Sequence, residues 1–120
     1  MRRIFCLFLL VLCLPLTANT QTHSYNSTKW KLIIDVRTPE EFSSSHIEGA
    51  INTPYDQINA KLPALSSTNK DENILVYCRS GRRSEAAKQT LLKLGYKNVQ
   101  NGGGMDDLTS KLKSCKTETC

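Results

Sequence analysis

Two short runs limit what this chain can become. Leu32-Ile33-Ile34-Asp35-Val36 and Ile74-Leu75-Val76-Tyr77 are apolar at nearly every position, without the alternation of a half-exposed strand. Strands of this kind are covered on both faces, as in parallel sheets. A helix signal follows each. Thr38-Pro39-Glu40-Glu41 supplies an N-cap, a proline for the first helical position and a glutamate placed to close a capping box. Glu40 and Glu41 therefore read as helix-start residues, not a catalytic pair. Ser43-Ser44-Ser45 ends that helix. Thr53-Pro54 predicts a second helix with Tyr55, Ile58 and Leu62 on its inner face, stopped or kinked at Pro63. A third begins after Ser84, with Ala86, Ala87, Thr90, Leu91 and Leu94 inward and Gly95 as its C′ residue. Met105, Leu108 and Leu112 mark a fourth. Ala50-Ile51-Asn52 and Asn98-Val99-Gln100 read as further strands, and Gly102-Gly103-Gly104 as a loop with unusual backbone angles or close packing. Strand and helix alternate throughout, which predicts an α/β fold: a small parallel β-sheet flanked by helices on both faces.

Residues 1–18 stand apart from this pattern. Arg2 and Arg3 precede an apolar run from Ile4 to Leu16, and Thr17-Ala18-Asn19-Thr20 follows it. That is the layout of a secretory signal peptide, with cleavage expected after Ala18. The run is shorter than the ~20 residues of a spanning helix, so no stable membrane anchor is expected. Cys13 does not suggest a lipoprotein, because bulky Leu12 precedes it. Without residues 1–18 the chain keeps 102 residues, enough for one modest core. The expected organisation is a flexible lead-in over 19–28, one domain over 29–113 and a polar, cysteine-containing tail over 114–120. Asn26-Ser27-Thr28 is read as a chance glycosylation sequon.

The formal charge of +5 falls to +3 when Arg2 and Arg3 leave. The balance is mild, and no basic stripe carries interleaved aromatics, so nucleic acid is not an expected partner. Of five cysteines, Cys6 and Cys13 leave with the leader, and Cys78, Cys115 and Cys120 stay. An odd number leaves at least one thiol without an internal partner. Cys115 and Cys120 are close enough in sequence to pair, which would leave Cys78 free. His23 and His46 are far apart and no Cys-x2-Cys occurs, so no metal is expected.

Cys78 is the residue to which chemistry points. It ends the clearest strand and precedes Arg79-Ser80-Gly81-Arg82-Arg83-Ser84 and a helix. In parallel α/β sheets ligands bind beyond the carboxyl ends of strands. The first amides of a helix have no backbone partners, and its dipole adds positive charge there. With Arg79, Arg82 and Arg83 close in sequence, these favour the thiolate, which is the nucleophile. Successive amides also cradle anions. Ser80 and Ser84 can donate hydrogen bonds, and Gly81 permits a tight turn. A lone cysteine after a strand is commonly an inert small hydrophobe, but an inert thiol has no use for three arginines. Cysteine phosphatases have the pattern Cys-x5-Arg. Here the arginine falls one residue earlier, at Arg83, giving Cys-x4-Arg and a tighter loop.

The chain resembles the single-domain rhodaneses, and within them the periplasmic thiosulfate sulfurtransferases of the phage-shock type. The resemblance runs from about Ile33 to Leu108. It is carried by Asp35-Val36-Arg37, Pro39-Glu40-Glu41-Phe42, His46-Ile47-Glu48-Gly49-Ala50-Ile51-Asn52, the loop Cys78 to Ser84, then Gly95-Tyr96 and Gly103-Gly104. Leu108 departs from it, standing where many relatives have tryptophan, and the tail with Cys115 and Cys120 lies outside it. The resemblance implies a two-step transfer. Cys78 takes the outer sulfur of thiosulfate as a persulfide, and a thiol or dithiol acceptor removes it, with cyanide as the assay acceptor. Arg79, Ser80, Gly81, Arg82, Arg83 and Ser84 are the expected substrate-binding residues. Asp35 and Arg37 are expected to support the site structurally, as is His46. No cofactor is implied. A monomer is expected, exported to a periplasm or else secreted. A persulfide carrier or a binding module without efficient turnover is the alternative.

Overall fold

The computed structural model describes residues 23–25, 28–65, 69–112 and 114–115. In chain order the elements are β1 (His23–Tyr25), β2 (Thr28–Trp30), β3 (Leu32–Asp35), α1 (Pro39–Ser44), β4 (His46–Ile47), β5 (Ile51–Asn52), a 3-10 turn (Tyr55–Gln57), α2 (Ile58–Leu65), β6 (Asn73–Cys78), α3 (Arg82–Lys93), β7 (Asn98–Gly104), α4 (Met105–Thr109) and β8 (Ser114–Cys115). The central sheet has the order β5-β3-β6-β7 and is parallel at every pairing, with Ile34 opposite Val76 and Ile74 opposite Val99.

The continuous apolar runs are explained by the two cores they separate. Ile34, Val36, Ile74, Val76 and Cys78 face α2 and α3, where Ile58, Leu62, Ala87 and Leu91 cover them. Their sequence neighbours Ile33, Leu75 and Tyr77 face the other way, against Trp30, Ile47, Met105, Leu108 and Leu112. Alternate side chains of one strand thus enter opposite cores, as the pleat requires. Parity along β6 sends the Cys78 side chain to the α3 face, under the first turn of that helix.

The helix signals act largely as expected. Thr38 and Glu41 close the capping box at α1, with Pro39 in its first turn and Ser45 as its C-cap. Gly95, at φ +95°, ends α3. Four details differ. Tyr55 is 44% exposed, because it sits in the 3-10 turn ahead of α2 and not on the helix stripe. Pro63 does not stop α2, which continues to Leu65; a proline forgoes one backbone bond there, and the helix outlasts it by two residues. Ala86 is exposed, since the inward stripe of α3 runs through Ser84, Ala87 and Leu91. The glycine run is the end of β7 and not a separate loop. Gly102 packs so tightly that a Cβ would lie 3.0 Å from a Leu75 methyl and 3.1 Å from one of Leu108.

Outside the central sheet, β1 and β2 pair as an antiparallel hairpin, within and just beyond the expected lead-in. β8, from the expected tail, pairs antiparallel with β4, His46 opposite Cys115. Cys120 and residues 1–18 lie outside the described residues, as therefore do the expected pairing of Cys115 with Cys120 and the expected leader.

Thr53 is wholly buried after β5, and its hydroxyl has no hydrogen-bond partner among the described residues. A buried hydroxyl without a partner costs stability. Thr53→Val is expected to raise stability by about 1 kcal/mol in urea unfolding, with an unchanged denaturant slope. A lower midpoint would mean that the hydroxyl has a partner in solution.

Candidate active site

Cys78 closes β6 at the carboxyl edge of the sheet, with no exposed surface of its own. The chain then turns through Arg79, Ser80 and Gly81 into α3, and Gly81 takes φ +94°, a conformation that a side chain would strain. The turn folds back over the sulfur. The Gly81 amide donates to Cys78 Sγ at 2.8 Å, and the Ser84 hydroxyl lies 3.4 Å from it. Burial pushes the thiol up. The Ser84 hydroxyl and the amides of Ser84, Ser80 and Gly81 more than offset this, so Cys78 lies below the ordinary thiol range. The amides that a helix start leaves without backbone partners are thus spent on sulfur.

Strand β7 underpins the loop. Gly104 comes so close that a Cβ there would stand 2.5 Å from the Arg79 carbonyl oxygen. Asn101 reaches back from β7 to Gly81, Ser84 and Glu85.

The three arginines have separate surroundings. Arg79 and Arg82 are exposed, and their guanidinium groups make no hydrogen bond or ion pair among the described residues. Arg83 grips Glu41 of α1 through two bonds of 2.8 and 3.1 Å. It is near enough to Cys78 for its charge to be felt there. Glu41 thus serves twice, since the same carboxylate accepts the Thr38 amide at 2.9 Å. Between α1, the loop and α4 lies a cleft of about 500 Å³, lined by Arg37, Glu41, Ser45, Arg79, Met105 and Asp106 among others.

Asp35 and Arg37 form a buried frame beside the loop. The Asp35 carboxylate accepts the Arg37 backbone amide at 2.9 Å and its guanidinium at 2.6 to 3.0 Å. Arg37 also donates to the Ser45 carbonyl at 2.7 Å, and Asn52 donates to the carbonyls of Asp35 and Arg37. The frame ties β3 to α1 and β5. Tyr77 stands next to Cys78 on the opposite face. Burial, with the Asp35 charge, pushes its phenol well above the usual range, so it stays neutral and accepts the Ile47 amide at 2.9 Å. His46 stacks on Phe42 at 3.8 Å and donates from Nδ1 to the Phe42 carbonyl, as a structural residue would.

The expected site residues Cys78 to Ser84 span the turn after β6 and the start of α3: Gly81 and Ser84 meet the sulfur, Arg79 and Arg82 are exposed, Arg83 binds Glu41, and Asp35 and Arg37 lie beside the turn. The close packing expected of the glycine run is met at Gly104, whereas Asn101 and the Arg83–Glu41 bridge carry no local signal in the sequence. Opposite charges on Glu41 and Arg83 are visible in the sequence, but 42 residues separate them and nothing local joins them.

The bridge holds the Glu41 carboxyl at about 2, against an ordinary 4.5, chiefly through the Arg83 hydrogen bonds. Its stabilisation is complete above pH 4.5 and fades as pH falls toward 2. Both side chains keep over a quarter of their surface in solvent, so the stabilisation is at most about 1 kcal/mol. Glu41→Gln is expected to lower stability by this amount at neutral pH, and the difference from the parent protein should vanish near pH 2. A difference independent of pH would mean that the carboxylate charge is not what matters.

The model of the Rhodanese-like domain family matches residues 18–111. The thiosulfate sulfurtransferase PspE of Escherichia coli is 40% identical over 75 residues, covering 62% of this chain and 71% of that protein. A candidate sulfur carrier protein of Bacillus subtilis is 40% identical over 80 residues, covering 66% of this chain and 42% of its own. Among solved structures, a rhodanese with anions from E. coli superimposes with a TM-score of 0.65 at 35% identity, over 71% of this chain and 96% of that one. The fold, the loop after β6 and these likenesses agree, and the chain belongs to the rhodanese-like domain family, a family of sulfurtransferases.

Proposed function

We propose that this protein is a thiosulfate sulfurtransferase in which Cys78 carries the sulfur. The observation that carries the reading is the Gly81 amide held 2.8 Å from Cys78 Sγ at the start of α3. The thiolate attacks the outer sulfur of thiosulfate. A bond forms between Sγ and that sulfur, the sulfur–sulfur bond of thiosulfate breaks, and sulfite leaves with the bonding pair. The product is an anionic persulfide, suited to the amides of Ser80, Gly81 and Ser84. A thiol or dithiol acceptor, as its thiolate, then takes the outer sulfur and Cys78 leaves as thiolate. Cyanide does the same in an assay. The Cys78 thiolate is regenerated and the acceptor carries the sulfur away as its own persulfide, so the cycle needs no external oxidant or reductant.

Arg79 and Arg82, exposed beside the loop, attract the thiosulfate dianion, and Arg83 offsets its charge once bound. Ser80, Gly81 and Ser84 contact it through the loop, while Asp35 and Arg37 hold the neighbouring chain in place. The cleft reached through Arg79 gives an acceptor its approach. The monomer is the proposed working unit. The N-terminal pattern of residues 1–18 supports export, to a periplasm first and to the outside as the alternative.

A second reading, a persulfide carrier that hands on one sulfur without efficient turnover, draws on the likeness to the candidate carrier of B. subtilis. Continuous turnover separates the two. The purified protein is expected to convert thiosulfate and cyanide to thiocyanate and sulfite over many cycles, and to leave an aryl phosphate untouched. Cys78→Ser is expected to lose the turnover entirely while unfolding at the same urea concentration. A single burst equal to the protein concentration would favour the carrier. Hydrolysis of the aryl phosphate, or an active Cys78→Ser protein, would defeat the reading.

A further inference from the structure

Asn101 is the one side chain of β7 that reaches the active loop with all of its hydrogen-bonding capacity in use. Its Nδ2 donates to the Gly81 carbonyl at 3.0 Å and to the Glu85 carboxylate at 3.1 Å. Its Oδ1 accepts the Gly103 amide at 2.9 Å and lies 2.6 Å from the Ser84 hydroxyl. These partners fix the orientation of the amide. Gly103 N–H can only donate, and a carbonyl and a carboxylate can only accept. Turning the amide over would set donor against donor at Gly103 and acceptor against acceptor at Gly81 and Glu85.

With Oδ1 so placed, the hydrogen between it and Ser84 must come from Ser84, since a carbonyl oxygen has none to give. A serine hydroxyl has one proton. Ser84 Oγ is also within 3.0 Å of the Gly81 carbonyl and 3.4 Å of Cys78 Sγ. While its proton lies on Asn101, Ser84 turns lone pairs toward the sulfur. That suits a thiol, which can donate S–H, and disfavours a thiolate, which needs a donor.

We propose that Asn101 competes with the Cys78 sulfur for the single proton of Ser84, and so sets how readily the thiolate forms. When Cys78 loses its own proton to solvent, the Ser84 O–H turns from Asn101 to donate to the sulfur. Once Cys78 carries a persulfide, the charge moves to the outer sulfur and the proton returns to Asn101. Asn101 is thus a positioning residue that touches neither donor nor acceptor. This deepens the reading of Cys78 as the sulfur-carrying thiol, but the competition exists whatever the substrate.

Other charges face the same place: Arg79, Arg82 and Arg83 with its partner Glu41, Glu85 on α3, the Asp35–Arg37 pair after β3, and Asp107 on α4, whose carboxylate borders Gly103 and Gly104. They are common to the four proteins of a double-mutant cycle, which isolates the Asn101–Ser84 coupling from them. The cycle comprises the parent, Ser84→Ala, Asn101→Ala and the double variant. The readout is the pH dependence of Cys78 alkylation by iodoacetamide, followed on the Cys78 peptide by mass so that Cys115 and Cys120 do not interfere. Turnover is not needed, so a protein inactive toward thiosulfate still answers the question. Ser84→Ala alone is expected to raise the midpoint, but by less than it does beside Asn101→Ala. Asn101→Ala is expected to lower it, and adding Ser84→Ala to Asn101→Ala to raise it by about one pH unit, the scale of a hydrogen bond to a charged group. The proposal is overturned if Ser84→Ala raises the midpoint in the parent as much as, or more than, it does beside Asn101→Ala. Ser84→Ala on its own keeps the test decisive should Asn101→Ala fold poorly, because a rise of a full unit in that single variant contradicts the competition.

Discussion

A backbone amide pointed at a sulfur atom is the contact on which this protein depends. Gly81 N–H meets Cys78 Sγ at 2.8 Å, and neither group would be there by local preference. The sulfur is fully buried, which opposes its charge, so donors aimed at it must compensate. Those donors exist because β6 ends and α3 begins within four residues, leaving the first amides of the helix without backbone partners. The left-handed Gly81 makes so short a turn possible. A parallel sheet with both faces covered supplies the rest, since it holds the end of β6 between two cores and packs α3 onto one of them.

Around this contact the remaining elements act as braces. β7 presses its glycine end against the Arg79 carbonyl and sends Asn101 beneath the loop. α1 holds Arg83 through Glu41, and the Asp35–Arg37 pair ties α1 and β5 to β3. A buried ion pair of that kind contributes little net stability, but removing one partner leaves an uncompensated charge and costs several kcal/mol. Asp35 and Arg37 thus fix geometry more than they add stability. The Arg83–Glu41 pair differs, because it is part solvated. Under the proposed reaction, a thiosulfate dianion would draw Arg83 away from Glu41 at little cost.

Much of this was legible along the chain. The apolar runs of β3 and β6, the capping box at Thr38 and Glu41, the stop at Gly95 and the arginine-rich turn after Cys78 are local signals, and each appears in the structure where the residues place it. The misreadings share a cause. Tyr55 and Ala86 were assigned by helical spacing, yet the 3-10 turn before α2 and the inward Ser84 of α3 set the actual phase. The unusual backbone angle and close packing expected of the glycine run are present, at Gly103 and at Gly102 and Gly104, but within a strand and not a loop. Its role in β7 is to admit the Arg79 backbone, which only the folded chain reveals. Asn101, the β4–β8 pairing and the Arg83–Glu41 bridge join residues 16 to 69 positions apart, beyond the reach of periodicity or spacing.

The central claim is that the Cys78 sulfur takes and holds a second sulfur atom. The most direct measurement is the intact mass of the purified protein before and after thiosulfate, beside the Cys78→Ser variant. A gain of one sulfur, about 32 Da, is expected on the activated thiolate, removed by dithiothreitol and absent from Cys78→Ser. An equal gain on Cys78→Ser, or no gain from thiosulfate or any other persulfide donor, would contradict it.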